Sequence, residues 1–548
     1  MRKKSAFISL TILLFFVIAG RCFADDVSAQ LQQAEAYKND GQYEKAEAIY
    51  KQIVTDYAFQ AQKNLAILYV AWDKLPLAQA ALQELLTKFS GHKGIPQAIN
   101  ELASSYGMKL KRYDKSRQLH QYVLDHYPGN EQTMWAQQGL AFADIHTGNY
   151  AAAEAGIEKL LANFPKHKGL PKAIEWLGKD YLQVGKYREA RELYQHVVDN
   201  WPEKPRAIWS QRGIVLASIA LGDDTEAETA TEKLLSRFSQ DKHLPKEVSI
   251  IAETYRGLKE YEEARELHQY VLDNHPGFEE AIFSQRGVII SSIELGDDSR
   301  AEAGIDELLS QFSSNEHIAK MAYQLGRELN NKNDLKAQEL YEYVIDKHSG
   351  SEFAVLARVS IGNIKLRLGD DKAARVIFDK VLADFAAHPI LPKAVHFMAG
   401  GYWDRALSEP RQNRRKTERA KEYFRKALVE WERIITQFPE VPFTTAQAHH
   451  FAAECYRRFG QHEKAIEYYQ KIIDNWPEYK PTGQMQFMIG YIYRHLKRMG
   501  AISESEADPK IKAAFEQVVQ NYPDCKAAGA AHSWLNLYNA KSTEGGQK

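Results

Sequence analysis

Three glycine–aspartate sets are the first candidates for chemistry in this chain. Gly222-Asp223-Asp224, Gly296-Asp297-Asp298 and Gly369-Asp370-Asp371 each follow a glycine with two adjacent carboxylates, a pattern that suggests calcium ligation. A calcium loop needs about six oxygens at about 2.5 Å, and two neighbouring carboxylates supply too few. Helix punctuation explains the sets better: the glycine ends one helix and the aspartate caps the next. Histidine recurs at His92, His167, His243, His317 and His388, and again at His120, His196 and His268. Spacings of 71 to 76 residues set equivalent rings two hairpins apart, too far for shared coordination, so loop or surface roles are expected. His449 and His450 are adjacent and point to different helical faces, with His462 on the following hairpin, so they define no metal centre. No H-E-x-x-H, G-x-S-x-G, phosphate-binding glycine loop or dinucleotide fingerprint occurs. No catalytic residue, metal or cofactor is therefore expected, and the chain is not read as an enzyme.

The elements that carry these residues repeat. Leu160-Leu161-Ala162-Asn163-Phe164 returns as Leu234-Leu235-Ser236-Arg237-Phe238, Leu308-Leu309-Ser310-Gln311-Phe312 and Val381-Leu382-Ala383-Asp384-Phe385, with phenylalanine spacings of 74, 74 and 73. A second motif, Asp125-His126-Tyr127-Pro128, returns as Asp199-Asn200-Trp201-Pro202 and Asp273-Asn274-His275-Pro276, and Pro165 falls 37 residues from both Pro128 and Pro202. The unit is therefore about 37 residues, doubled into a 74-residue super-repeat. Within it a small residue precedes the proline end by 12, as Ser116, Ala153 and Ala190 do, and nine residues earlier stands Tyr181, Tyr255 or Tyr456. The small residue allows close helix approach, the tyrosine fills the adjoining space, and proline stops the second helix. Each unit predicts helix, turn, helix.

Trp176-Leu177-Gly178-Lys179-Asp180-Tyr181, followed by Gly185, Tyr187, Ala190, Tyr194 and Pro202, resembles the tetratricopeptide repeat (TPR). The resemblance covers about residues 26 to 525. It implies an all-α, TPR-like solenoid of about thirteen helix pairs and a capping helix near Lys526 to Ala540. Ser218 and Ser292 depart from the family's tyrosine, Ile511 departs from its alanine, and the 37-residue period exceeds its 34. Two insertions break the period: 16 residues between Tyr402 and Ala427, and about nine in Ala501 to Pro509. The expected organisation is a signal peptide (1–24), a regular array (25–390) and an irregular array with the cap (391–548).

Lys+Arg at 71 against Asp+Glu at 72 gives a net charge of -1, so no polycationic surface recruits nucleic acid. Arg2, Lys3 and Lys4 precede an apolar run from Ala6 to Gly20, and Cys22-Phe23-Ala24 offers small residues at the positions a signal peptidase reads. Cleavage after Ala24 leaves 67 basic against 72 acidic residues, a net of -5. Arg21 stands where a lipobox needs a small residue, so no lipid anchor is expected at Cys22. No other stretch is long and apolar enough to span a bilayer, so an exported, periplasmic or cell-surface protein is expected. The repeat register puts Cys455 and Cys525 on first helices two hairpins apart. Stacked helices lie about 10 Å apart and bridged Cα atoms within about 7 Å, so two buried, unbridged thiols are expected.

A solenoid leaves an extended curved surface, which suits binding. The family resemblance implies that first helices line the concave face and hold peptides or partner domains. The helices ending in Tyr-Pro or Trp-Pro are similar to those of exported TPR proteins of envelope and outer-membrane assembly and Tol–Pal function. The expected role is a protein-interaction scaffold in envelope assembly or a secretion complex; the alternative is a glycan- or peptidoglycan-binding module. By alignment to the family, Trp135, Trp209 and Phe283 face the groove at a spacing of 74, with Gln138, Arg212 and Arg286 one turn on. Phe142, Leu216 and Ile290 follow, and the intervening unit offers Lys172, Glu175 and Lys179. The competing reading packs the rings on the preceding hairpin. A second candidate surface is Arg405 to Lys426, with nine basic residues against Glu409, Glu418 and Glu422, a surplus of +6. Arg411, Arg414 and Arg415 are its candidate contacts to an anionic surface or partner; a solvated loop is the plainer alternative.

Overall fold

Local sequence rules place the helix ends. Ile95-Pro96, Leu170-Pro171, Leu244-Pro245 and Leu391-Pro392 open first helices with proline near the N-terminus, where its missing N–H costs nothing. Gly222, Gly296 and Gly369 have positive φ, the left-handed conformation that ends a helix. Asp223, Asp297 and Asp370 then accept a backbone N–H three residues on, capping the second helices. The aromatic before each proline position, such as Tyr127, Phe164, Trp201 or Phe238, is the C-cap of a second helix.

The computed structural model describes residues 29–54, 58–412 and 415–544. The proposed signal peptide, with Cys22, lies outside the described residues. Among those described are 27 helices and a pair of two-residue strands, Arg411–Gln412 and Arg415–Lys416. The helices form thirteen helix–turn–helix pairs, from 29–39 with Tyr43–Val54 to Thr482–Arg498 with Glu504–Asn521, and a last helix, Ala528–Glu544. The chain is an all-α, TPR-like superhelical array. It divides into two compact units, one ending at Glu280 and the other beginning at Ala281.

In each unit, first helices pack on the first helices of neighbouring hairpins, while no two second helices approach one another comparably. First helices therefore line the inner side. The 74-residue period has a packing cause. The second helices Tyr113–His126 and Tyr187–Asn200 pack on their own first helix and on the next one, whereas Tyr150–Asn163 and Asp224–Arg237 pack closely only on their own. In the bridging kind, a large ring meets glycine: an added Cβ at Gly178 or Gly213 would lie 2.9 or 2.5 Å from Tyr194, and one at Gly139 would lie 2.2 Å from His120. In the other kind, a buried glutamine ties the pair. Gln137, Gln211 and Gln285 donate to the carbonyls of Gly156, Ala230 and Gly304 at 3.2, 2.9 and 3.0 Å.

Two expectations need correction. His120 and His268 are core residues at 2% and 1% exposure, not surface residues; the His120 ring fills the space above Gly139. Cys525 lies in the turn before the last helix, against Gly483, and not on a first helix. Both Cys455 and Cys525 are free thiols.

Candidate partner-binding face

The groove residues lie on the helices Gln132–His146 and Arg206–Leu221 in the first unit and Glu280–Leu295 in the second. Trp135, Gln138, Trp209, Arg212 and Arg286 are half-buried and Phe283 is 37% exposed. Each ring leans on the loop that leads into the following hairpin: Trp135 on His167 at 6.4 Å, Trp209 on His243 at 5.6 Å and Phe283 on His317 at 5.7 Å between centroids. The loop histidines themselves hold two different positions. His92, His167 and His388 accept the backbone N–H two residues on through Nδ1, whereas His243 and His317 are the N-cap residues, with Asp241 and Asn315 as acceptors.

Two of the donors one turn on, Arg212 and Arg286, are engaged. Arg212 is paired with Glu247, which also accepts from Trp209 Nε1 at 3.1 Å. Glu247 is 2% exposed, so a buried carboxylate of the next first helix is neutralised from this wall. Arg286 meets Glu328 at 3.2 Å. Phe142 packs on Tyr113 and His146, and Ile290 is buried, so neither widens an apolar wall.

The intervening first helix, Leu170–Gln183, contributes more than its sequence announced. Lys172 Nζ stands 5.7 Å from the Trp135 centroid and 4.3 Å from that of Trp176, a ring 39% exposed. Lys172 and Trp176 are four residues apart and share a helix face. Arg206 lies 4.7 Å over Trp209 and reaches Glu175 at 3.1 Å. Glu175 is buried, and burial pushes its carboxyl up against the opposing pull of Arg206 and Arg212. Lys179 and Lys246 are exposed on the same row of helices. The first unit thus offers three tryptophans, two cations set over their faces, and carboxylates withdrawn into the wall. Trp176 and Arg206 were absent from the sequence-derived set; the i, i+4 spacing of Lys172 and Trp176 was the available signal.

Arg411 and Arg415 belong to the short strands in the second unit, whose register pairs Arg411 with Lys416 and Gln412 with Arg415. Arg414 lies outside the described residues. Beside them, Arg405 and Arg419 hold Glu409 at 2.9 and 3.6 Å. Arg405, Arg419 and Lys426 converge on the buried Tyr423 ring at 5.5, 5.9 and 5.3 Å, and its hydroxyl donates to Asp371 at 2.6 Å. Among the described residues there is no group of three or more His, Cys, Asp or Glu placed to hold a metal, and no helix long and apolar enough to cross a membrane.

Tetratricopeptide repeat family models match residues 28–58, 177–242 and 452–479. No curated protein matches the chain. Similar solved structures include PilW, described as a widely conserved type IV pilus biogenesis factor, at 17% identity over 40% of this chain and 96% of that one, TM-score 0.28. Yeast Tom70 is similar at 12% identity over 84% and 99%, TM-score 0.31. A tetratricopeptide repeat protein from Parabacteroides merdae is similar at 16% identity over 49% and 99%, TM-score 0.26. The chain thus carries tetratricopeptide repeats at the matched stretches, within an array of hairpins of the same helix–turn–helix kind. Its fold is that of a protein-interaction scaffold.

Proposed function

We propose that the chain is a non-enzymatic, exported scaffold that holds a peptide or partner domain along the inner face of its first helices, in envelope assembly or a secretion complex. The observation that carries the reading is the row Trp135, Lys172, Trp176, Arg206 and Trp209. Tryptophan and arginine supply most of the energy at protein interfaces when set in a packed surround. A glycan strand stacks on bare ring faces; here Lys172 and Arg206 lie over them, which favours a protein segment over the glycan alternative. Export rests on the basic, then apolar, sequence from Arg2 to Ala24. We assign partner holding to the regular array, 25–390, and separate surface contacts to the irregular part, 391–548.

A photo-reactive amino acid in place of Trp176 tests the inner face in the natural host. The expected result is a discrete cross-linked protein, identified by mass spectrometry, from a chain whose first residue is Asp25. Adducts with peptidoglycan alone, or none, would overturn the scaffold reading. A chain retaining Met1 and found in the cytoplasm would overturn export.

A further inference from the structure

Acids and bases on the inner side of the first unit are not in the same state. From Ala58–Ala71 to Leu244–Leu258 the first helices carry six carboxylates, and every one is engaged. Glu101 meets Lys63 at 2.7 Å, Glu175 meets Arg206 at 3.1 Å, Asp180 meets His146 at 3.2 Å and Glu253 meets Arg256 at 2.5 Å. Asp144 is paired with Arg117 and Glu247 with Arg212. Three lysines of the same helices, Lys172, Lys179 and Lys246, have no carboxylate in a salt bridge with them among the described residues. Lys179 acts on Glu175 and Asp180 through space, against the upward effect of their burial, but both carboxylates take their hydrogen bonds from Arg206 and His146. The surplus on this face is therefore positive, although the whole chain is nearly neutral.

Position orders that surplus. Lys172 and Lys179 are seven residues apart on Leu170–Gln183, two turns along one helix, or about 10 Å. Lys246 stands two residues after the first leucine of Leu244–Leu258, as Lys172 does in Leu170–Gln183. The helix Arg206–Leu221 lies between them and presents Arg206 over Trp209. At about 10 Å per stacked helix, the two lysines are about 20 Å apart. An extended chain rising about 3.1 Å per residue crosses each helix in about three residues. Carboxylates on such a chain make charge-assisted hydrogen bonds to the lysines, and its apolar side chains meet the tryptophans. A basic segment finds the acids already neutralised and the free charges repulsive.

We propose that the inner face of the first unit takes an extended acidic segment of a partner protein, its carboxylates on Lys172, Lys179 and Lys246 and its apolar side chains against Trp135, Trp176 and Trp209. The inference rests on the reading of the inner face as the holding surface and adds the charge of what is held. Fluorescence anisotropy of the full chain with labelled peptides tests it. The probes are four repeats of Glu-Leu-Ser, of Gln-Leu-Ser and of Lys-Leu-Ser, blocked at both ends so that only side chains differ in charge. The glutamate peptide is expected to bind at least tenfold more tightly than the glutamine peptide, with an advantage that shrinks as salt is added, and the lysine peptide not at all. Lys172→Gln, Lys179→Gln and Lys246→Gln should each weaken the glutamate peptide roughly threefold, and together roughly thirtyfold, while leaving the glutamine peptide unchanged. Combining Lys159→Gln, Arg188→Gln and Lys233→Gln removes the same charge from second helices and should change neither. Circular dichroism of each variant separates lost affinity from misfolding, and the single variants carry the test if the triple one misfolds. Equal capture of the glutamate and glutamine peptides, capture of none, undiminished binding by the inner-face variants, or an equal loss in the second-helix control would overturn the inference. The cross-link from position 176 separates this failure from that of the scaffold reading. A basic or uncharged protein segment joined there refutes only the acidic partner, whereas the absence of any protein adduct refutes the scaffold.

Discussion

Burial of a single ring gives the chain a specific acid sensitivity. His120 is enclosed against Gly139, with its Nδ1 at 3.0 Å from Asn100 Oδ1. Burial lowers its pKa to about 3. The folded value lies below that of the unfolded chain, so on acidification the unfolded state takes the proton first. The stability His120 contributes is therefore complete above about pH 6.5 and is lost progressively as pH falls toward 3. Between pH 6.5 and 5 the loss is about 2 kcal/mol. His120→Gln, which retains a donor for Asn100, should flatten this part of the stability–pH curve while other carboxylate contributions remain. Urea midpoints of the two proteins at pH 7.5 and pH 5 measure it, and parallel curves would refute it. Cys455 shows the same effect on a thiol. It is fully buried, its Sγ 3.6 Å from the Phe424 carbonyl, and burial pushes its pKa far up, which marks an inert core residue.

Between elements, contact depends on glycines that accept a ring. Tyr194, on Tyr187–Asn200, is held between Gly178 of its own hairpin and Gly213 of the next. At Gly213 the nearest ring carbon would stand 2.5 Å from a new methyl group, so either the ring or the following hairpin must move. Overpacking of this kind costs about 1 to 3 kcal/mol. Gly213→Ala should lower the denaturation midpoint accordingly, and adding Tyr194→Leu should restore part of it, because the smaller side chain vacates the contested volume. A double variant no more stable than Gly213→Ala alone would show that the close approach is not the cause. Gly222 is a different case: nothing lies within 4 Å of its added Cβ, and its positive φ alone demands glycine.

For the molecule as a whole, the energetics are those of a linear array in which each hairpin is stabilised by its neighbours. The last hairpin among the described residues, Thr482–Arg498 with Glu504–Asn521, is followed by a single helix, Ala528–Glu544, which covers Ala507, Ile511, Phe515 and Val518 with Ala531, Trp534 and Leu535. Trp534 meets Phe515 edge-on at 5.0 Å. Truncation after Lys526 would expose this apolar cluster. The expected outcome is loss of the helical signal of Thr482–Asn521 together with that of the cap, followed by aggregation, while upstream hairpins keep their melting temperature. Hydrogen exchange resolved along the chain distinguishes the cases, and protection of Glu504–Asn521 unchanged by truncation would refute the capping role.

Periodicity was legible in one dimension because its causes are local. The 37-residue unit follows from a proline stop, a glycine of positive φ, an aspartate cap and a small residue at a helix crossing, all short-range features of the chain. Thirteen pairs and a closing helix could therefore be counted before any coordinates, as could the helix punctuation of the glycine–aspartate sets. The 74-residue doubling was visible too, but not its meaning: only packing shows that alternate second helices bridge two first helices with a ring over glycine. Site chemistry depended still more on the third dimension. Arg212 and Arg286 sat in the sequence as free donors at a regular spacing. Their carboxylates, Glu247 and Glu328, lie 35 and 42 residues away on the next first helix. Lys172 was a surface charge until helix packing set it between Trp135 and Trp176. Spacing along one helix determines which residues share a face. Which of them meet across helices is decided by the distance and tilt between neighbours, to which every buried side chain in the interface contributes.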